Sequence, residues 1–355
     1  MALLPTQEGT TLHAIERAVE ASAVRDLRGH LGASQIGKVC ERALWYGFRW
    51  VAMTRHEPRM LRLFARGQRE EQVLIDLLRV AGIEVHDRDE TTGEQFRVSA
   101  IGGHFGGSLD ACAVGIPEAP EKWHVTEFKT HNDKSFQKLL KEGVEQSKPE
   151  HWAQMQMYMQ LTGMERALYL AVNKNDDSLY VERVRYAATQ ADVLLAKANR
   201  IITSDRPPAK INENPAWYKC KFCGHHSVCH GTAVPIPTCR SCIHATAELD
   251  GDARWSCALN PERLRDLSKD EQLNGCTDHL FIPDLLANWA TLEDASPDGV
   301  LYINKVNGNR FVNGLIGGYS SIELYRSVPA VVGDPIVDAV KKDLGGTLEH
   351  SHATV

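Results

Sequence analysis

Residues 106–131 read GGSLDACAVGIPEAPEKWHVTEFKTH, with strand-like runs at 107–114 and 123–130. In a strand alternate side chains share a face, so Glu127 and Lys129 project together from the second run. Asp110 lies on the first, amid small residues that let a partner approach closely. Two carboxylates converging from neighbouring strands can hold a hard divalent cation through oxygen ligands. A lysine two residues on is placed to orient or activate a water, or to stabilise charge on a phosphate. That is the minimum kit for metal-assisted phosphodiester hydrolysis. Alone, Asp…Glu-x-Lys is a weak signal, and an exposed strand with an ion pair reads the same way.

A third carboxylate stands upstream. Residues 58–81 predict a helix, because Leu61, Phe64, Leu74, Ile75 and Leu78 fall on one stripe at 3.6-residue spacing. A helical wheel puts Glu71 within that stripe and Glu70 well away from it. A carboxylate facing the core is costly unless it is protonated, hydrogen-bonded or serving a metal. Arg59, Arg62, Arg66 and Arg69 lie on the opposite side, either as phosphate contacts or as a solvated face. Further on, KPEHWAQMQMYMQLTG (148–163) sets Gln154 and Tyr158 at i and i+4 on one helix face, where they could steady a nucleophile or a phosphate. Met155, Met157 and Met159 read as core packing. Lys134, Lys138 and Lys141, at helical spacing, are candidate DNA-backbone contacts or plain solvent-exposed side chains.

The 355 residues allow two or three domains at ~100–200 residues each. With 43% hydrophobic and 24% charged residues, the chain is globular and can bury a sizeable core. Forty Lys+Arg against forty-six Asp+Glu leave a net charge of −6, which excludes coating nucleic acid by charge alone. No apolar run approaches the ~18–20 residues of a membrane span, and MALLPTQEGTT lacks the marks of a signal peptide. The expected address is cytoplasmic. Helices are expected at 10–30, at 33–50 with Ser34 as N-cap, at 134–162 with a break near Pro149, and at 187–204 before Arg206-Pro207-Pro208. Strands are expected at 83–86, 95–100 and twice within ALYLAVNKNDDSLYVERV (167–184). Beyond Pro283 a helix-like run precedes VLYINKVNGNRFVNG (300–314), a hairpin signal turning at Asn307-Gly308. The tail from Gly345 is polar.

Nine cysteines, seven of them between positions 220 and 276, favour metal over disulfides in a reducing compartment. The partition is four, four and one. Cys220-x2-Cys223-x5-Cys229 would share a centre with a distant fourth ligand. Cys239-x2-Cys242-x14-Cys257-x18-Cys276 fits a small zinc module, with His244 or His279 as substitute ligands. Cys112 reads as an ordinary buried thiol. A zinc deaminase is excluded, since no H-x-E pair precedes a P-C-x-x-C.

In chain order, Gly67-x3-Glu71, Asp110, Glu127-x-Lys129 and Gln154-x3-Tyr158 resemble the PD-(D/E)XK nuclease superfamily, in its RecB-like exonuclease branch, over roughly residues 30–230. Cys40 with Cys220, Cys223 and Cys229 is similar to the iron–sulphur staple of that branch, found also in CRISPR-adaptation nucleases and the AddB nuclease domain. The stretch from His151 to Val184 is similar to phage and prophage nucleases. The resemblance implies an α/β fold with a restriction-endonuclease-like core, a central mixed sheet flanked by helices (1–232); the cysteine spacing and the hairpin signal add a Cys-rich metal module (233–290) and a C-terminal β-hairpin region (291–355). It implies Mg2+ or Mn2+ on Asp110, Glu127 and Glu71, with the Phe128 carbonyl as a further ligand, and Lys129 serving the attacking water. Gln154 and Tyr158 form the motif that follows. Cys40, Cys220, Cys223 and Cys229 would hold a 4Fe–4S cluster, for which zinc is the alternative. Relatives often carry His after the helix glycine, where this chain has Gln68, so no histidine ligand is expected there. The implied activity is a metal-dependent DNA exonuclease of phage or bacterial recombination or repair, with DNA, and a recombination or strand-annealing protein, as partners. The other class is a non-catalytic nucleic-acid-binding or assembly protein on the same fold.

Overall fold

The computed structural model describes residues 9–23, 27–53, 56–259, 266–296, 299–314 and 317–348; the start of the chain and the end of the polar tail lie outside the described residues. Helix α1 (Thr11–Ser22) is shorter than the expected 10–30 and is capped by the Thr10 hydroxyl. Strand β1 (Leu31–Gly32) leads through a 3-10 turn (Ala33–Gln35) into α2 (Glu41–Phe48). The single helix expected over 33–50 is therefore broken, and Ser34 caps nothing. Gly37 packs so closely on the next layer that a Cβ there would stand 2.6 Å from the Glu150 Cα. Lys197 takes the Ile36 and Lys38 carbonyls at 2.8 and 2.6 Å, which a helix would have used internally.

Helix α3 (Pro58–Val80) opens on Pro58 in its first turn. Strands β2 (Glu84–His86), β3 (Arg97–Ala100), β4 (Phe105–Ser108), β5 (Ala111–Val114) and β6 (His124–His131) follow. The expected strand 107–114 is split at Leu109 and Asp110, because the Asp110 carboxylate accepts the Phe128 N–H at 3.0 Å. Next come α4 (Asp133–Ser147), α5 (Pro149–Thr162), β7 (Arg166–Asn173), β8 (Leu179–Arg185), α6 (Ala188–Thr203) and the short α7 (Tyr218–Lys221) and α8 (His226–Cys229). Helix α5 stops at Gly163, whose φ of 74° is left-handed.

Five strands in the order β2-β5-β6-β7-β8 form a mixed sheet. Strands β6 and β7 run parallel through the α4–α5 crossover, and the other pairs are antiparallel. Helix α3 covers one face, where Leu74 and Ile75 meet Ala111, Phe128, Leu168 and Leu170. Helix α5 covers the other, where Met155, Met157 and Met159 pack with Val125, Tyr169 and Trp45. Burying each methionine stabilises by ~1.5–3 kcal/mol. The α3 stripe is shorter than expected: Phe64 is 45% exposed, and α3 packs on α1 as well as on β6 and β2.

Beyond residue 232, β9 (Ala245–Ala247) and β10 (Trp255–Cys257) form a hairpin, followed by α9 (Lys269–Asn274). Cys242, Ala245, Trp255 and Leu285 join the same core as Trp45 and Tyr46 of α2. The helix-like run expected after Pro283 is one 3-10 turn (Pro283–Leu285), and the expected hairpin carries a third strand. Strands β11 (Ala290–Ser296), β12 (Gly299–Asn304) and β13 (Arg310–Asn313) make an antiparallel sheet. Ala290 alone is buried in β11, so its side chains carry no alternation and the strand is held by pairing with β12. Helices α10 (Ser321–Arg326) and α11 (Pro335–Leu344) close the described chain. Among the described residues no helix is long and apolar enough to cross a membrane.

Candidate active site

Alternation along β6 turns Glu127, Lys129 and His131 toward α5 and leaves Phe128 in the α3-side core. Asp110, at the break before β5, reaches across to the same spot. The Lys129 ammonium lies among three oxygens. It pairs with Glu127 Oε1, donates to the Phe128 carbonyl at 2.9 Å and stands 3.7 Å from Asp110 Oδ2. Glu127 is wholly buried, and apart from Lys129 its carboxylate has no partner among the described residues. Burial outweighs the Lys129 charge and pushes the Glu127 carboxyl up to about 8. Burial also works against the Lys129 charge, but Glu127 and Asp110 more than offset it and hold the ammonium above its ordinary range.

Helix α3 brings Glu71 up from the opposite layer. Burial, then the Asp110 charge, raise its carboxyl to about 7, yet it makes no ion pair among the described residues. Gln154 Nε2 lies 3.4 Å from the Tyr158 hydroxyl, which donates to the Ser108 carbonyl at 2.7 Å and so ties α5 to the strand before Asp110. Gly107 makes room for it: a Cβ there would stand 2.7 Å from that hydroxyl. Burial and the nearby Glu127 and Asp110 keep the phenol neutral. Tyr158 therefore stands within reach of the acidic pair, held by the backbone of β4, with Gln154 beside its hydroxyl.

A neighbouring network escaped the sequence reading. Lys148 donates to the Ser135 hydroxyl at 2.7 Å, which lies 3.2 Å from His131 Nδ1. His131 Nε2 and His151 Nδ1 both meet the Tyr169 hydroxyl, at 2.8 and 2.9 Å. Burial, then Lys148 and Lys129, drive His131 down to about 4; burial, then Lys129, drive His151 to about 3, so both rings are neutral beside Lys129. The signal was present: His131 is two residues from Lys129 on one strand face, and His151 is one turn from Gln154.

Two carboxylates and a carbonyl around one ammonium are an all-oxygen donor set suited to a hard divalent cation, and the otherwise unpartnered Glu127 carboxylate fits that role. Among the described residues no three histidine, cysteine or acidic side chains converge tightly enough to hold an ion. At this site Lys129 stands between the oxygens and Glu71 stands back. The thiols form two neighbourhoods. Cys40, at the start of α2, acts electrostatically on Cys220 and Cys229, and Cys223 on Cys220. Cys242, Cys276 and Cys257 all act on Cys239. His279 Nε2 is taken by the Thr238 carbonyl at 2.9 Å, and His244 Nε2 is buried without a partner. Cys112 is buried in the α5-side core. Arg62, Arg66, Lys134 and Lys138 are exposed; Arg66 pairs with Glu70 at 3.7 Å and Lys138 with Glu142 at 3.6 Å.

The raised Glu127 carboxyl sets a pH test in metal-free protein. Between about 4.5 and about 8 the folded state holds a proton that the unfolded chain has released, so stability falls as pH rises through that window. Glu127→Gln removes the effect. Its unfolding free energy relative to wild type, taken from thermal melts, is expected to climb steadily from pH 5 to pH 8, by at most about 1.4 kcal/mol per pH step of one. A flat difference would show that Glu127 is ionised throughout.

A family model described as the PD-(D/E)XK nuclease superfamily matches residues 3–230, and the chain belongs to that superfamily. No curated protein matches the chain. Among solved structures it is similar to the alkaline exonuclease LHK-Exo from Laribacter hongkongensis, at 16% identity over 53% of this chain and 90% of that chain, with a TM-score of 0.34. The complex of LHK-Exo with dAMP matches over the same shares at 16% identity, with a TM-score of 0.37. A phage-related exonuclease from Haemophilus somnus 129PT matches at 16% identity over 37% of this chain and 65% of that chain, with a TM-score of 0.26.

Proposed function

We propose that this nuclease is a DNA exonuclease working with Mg2+ or Mn2+. The observation that carries the reading is the Lys129 ammonium set among the oxygens of Glu127, Phe128 and Asp110. Asp110, Glu127 and the Phe128 carbonyl would hold the cation, with Glu71 as the accessory acid. When bound, such an ion polarises a phosphodiester and lowers the pKa of a water. Lys129 stays within reach of the same oxygens, so its ammonium orients the attacking water and meets charge developing on the phosphate. Tyr158 fixes the spacing of α5 against β4, and Gln154 offers an amide to phosphate or water. Arg62, Arg66, Lys134 and Lys138 supply backbone contacts that a chain of net charge −6 must place locally.

Cys40, Cys220, Cys223 and Cys229 are read as the ligands of a 4Fe–4S cluster, with zinc as the alternative occupant of the same sulphurs. Their shared neighbourhood supports this. Cys239, Cys242, Cys257 and Cys276 are read as a zinc site. The process is DNA recombination or repair in a bacterial or phage-infected cytoplasm, alongside a strand-annealing protein. The test is cleavage of an end-labelled linear duplex against a covalently closed circle, each in Mg2+ and in Mn2+. Loss of the linear substrate with an intact circle is the expected result. Equal cutting of both would make the protein an endonuclease, and cutting of neither would remove the enzymatic reading.

A further inference from the structure

The hydrogen bonds that join Lys148, Ser135, His131, Tyr169 and His151 run in one direction. Four elements contribute: His131 ends β6, Ser135 lies in the first turn of α4, His151 in the first turn of α5, and Tyr169 in β7. Register sets Tyr169 opposite Glu127 on the neighbouring strand, so the phenol stands on the sheet face that carries Glu127 and Lys129. The three rings lie nearly parallel, with centroids 5.8 to 6.4 Å apart and no pair tilted by more than 26°. Asn132 accepts the Ser135 N–H at 2.8 Å and fixes the serine at the head of α4.

An ammonium has no lone pair, so Lys148 can only donate to the Ser135 oxygen, at 2.7 Å. Among the described residues the Ser135 hydroxyl has one acceptor, His131 Nδ1 at 3.2 Å, and gives its proton there. A neutral imidazole carries a single N–H. His131 therefore bears it on Nε2 and donates to the Tyr169 oxygen at 2.8 Å. The phenol then gives its own proton to His151 Nδ1 at 2.9 Å. Burial keeps both imidazoles and the phenol neutral, so no member has a second proton to offer. The Lys148 charge favours this order over the reverse, which would point the His131 N–H back toward the ammonium. His151 is left with its proton on Nε2, the one nitrogen of the network without a partner among the described residues. Its side chain is only partly buried.

His151 precedes Gln154 by three residues and Tyr158 by seven, on the same face of α5, and Lys129 is the charge that acts on it most. We propose that His151 donates an Nε2–H hydrogen bond to a phosphate of the DNA backbone beside the cleaved bond, and that Lys148, Ser135, His131 and Tyr169 are positioning residues that hold it in that tautomer. This rests on reading the neighbouring oxygens and Lys129 as a nuclease site. No proton changes owner. The chain presents a neutral donor to an anion, and a neutral donor grips phosphate without adding a second positive charge to repel a divalent cation.

The tautomer is read first, by nitrogen-15 NMR of histidine-labelled protein without DNA or metal. The His151 signals are those that vanish in His151→Ala. We expect a protonated Nε2 and a bare Nδ1; a proton on Nδ1 would reverse the chain and overturn the proposal, whether or not the protein cuts DNA. Tyr169→Phe keeps the ring and should leave His151 in a mixture of tautomers. An unchanged Nε2–H form in that variant would remove the positioning role. Cleavage is then measured on linear duplexes that carry one neutral methylphosphonate, moved along the linkages around the cut. His151→Ala should lower kcat/KM on unmodified DNA by about tenfold to a hundredfold, the worth of a hydrogen bond to a charged group. At one linkage the methylphosphonate should slow wild type and leave His151→Ala unaffected. Equal slowing of both proteins at every linkage overturns the phosphate contact. A wild type that cuts no DNA removes the nuclease reading and the contact with it, while the NMR result stands by itself. Should His151→Ala not be recovered folded, His151→Phe serves both comparisons.

Discussion

Asp110→Ala is expected to reduce cleavage of linear DNA by about a hundredfold to a thousandfold, the scale on which single electrostatic groups act in hydrolytic sites. Asp110 has two tasks in this geometry: it accepts the Phe128 N–H at 3.0 Å, fixing the carbonyl that faces Lys129, and it completes the oxygen set around the ammonium. Its removal therefore takes away one proposed ligand and loosens a second. Lys129→Met should cost as much in rate for a different reason, since it deletes the amine and leaves the oxygens. DNA affinity, measured by fluorescence anisotropy in Ca2+, should stay within about threefold of wild type for both, because the proposed backbone contacts lie on α3 and α4. Lost binding with unchanged rate at saturating DNA would move these residues from chemistry to substrate capture.

The second large effect concerns the first cysteine group. Cys40 lies at the start of α2 and Cys223 roughly 180 residues on, yet Cys40 reaches the thiols around Cys223. Closing a loop of that length with a metal staple is worth on the order of 4–5 kcal/mol by chain entropy alone. Cys40→Ala and Cys223→Ala should each lower the melting temperature by about 10 °C or more. Each should also abolish any absorbance shoulder near ~400 nm that marks iron–sulphur in anaerobically purified wild type. Unchanged melting in both variants would show that these thiols carry no staple.

The sheet order itself was not legible in the sequence, but the runs that build it were: the extended stretches at 123–130 and 167–184 and the helical stretch 134–162 with its break at Pro149 stand close to where they were expected. Elements decided by long-range contacts were not. The 33–50 segment looks helical residue by residue and is broken by Gly37 against Glu150 and by Lys197, both distant in the chain. Strand β11 has almost no buried side chains and exists because β12 pairs with it. At the site, Asp110, Glu127 and Lys129 could be brought together on paper from strand alternation. Glu71, placed by a helical wheel, comes only within electrostatic reach, since a wheel gives direction without distance.

The most direct measurement is Mn2+ binding in the absence of DNA, followed by electron paramagnetic resonance of the free ion. On the proposed reading the ammonium of Lys129 occupies the place of the cation, so Lys129→Met should bind Mn2+ more tightly than wild type, while Asp110→Ala and Glu127→Gln should each bind it at least about tenfold more weakly. Mn2+ affinity unchanged by all three substitutions would contradict the account, because the ion would then sit somewhere other than among these oxygens.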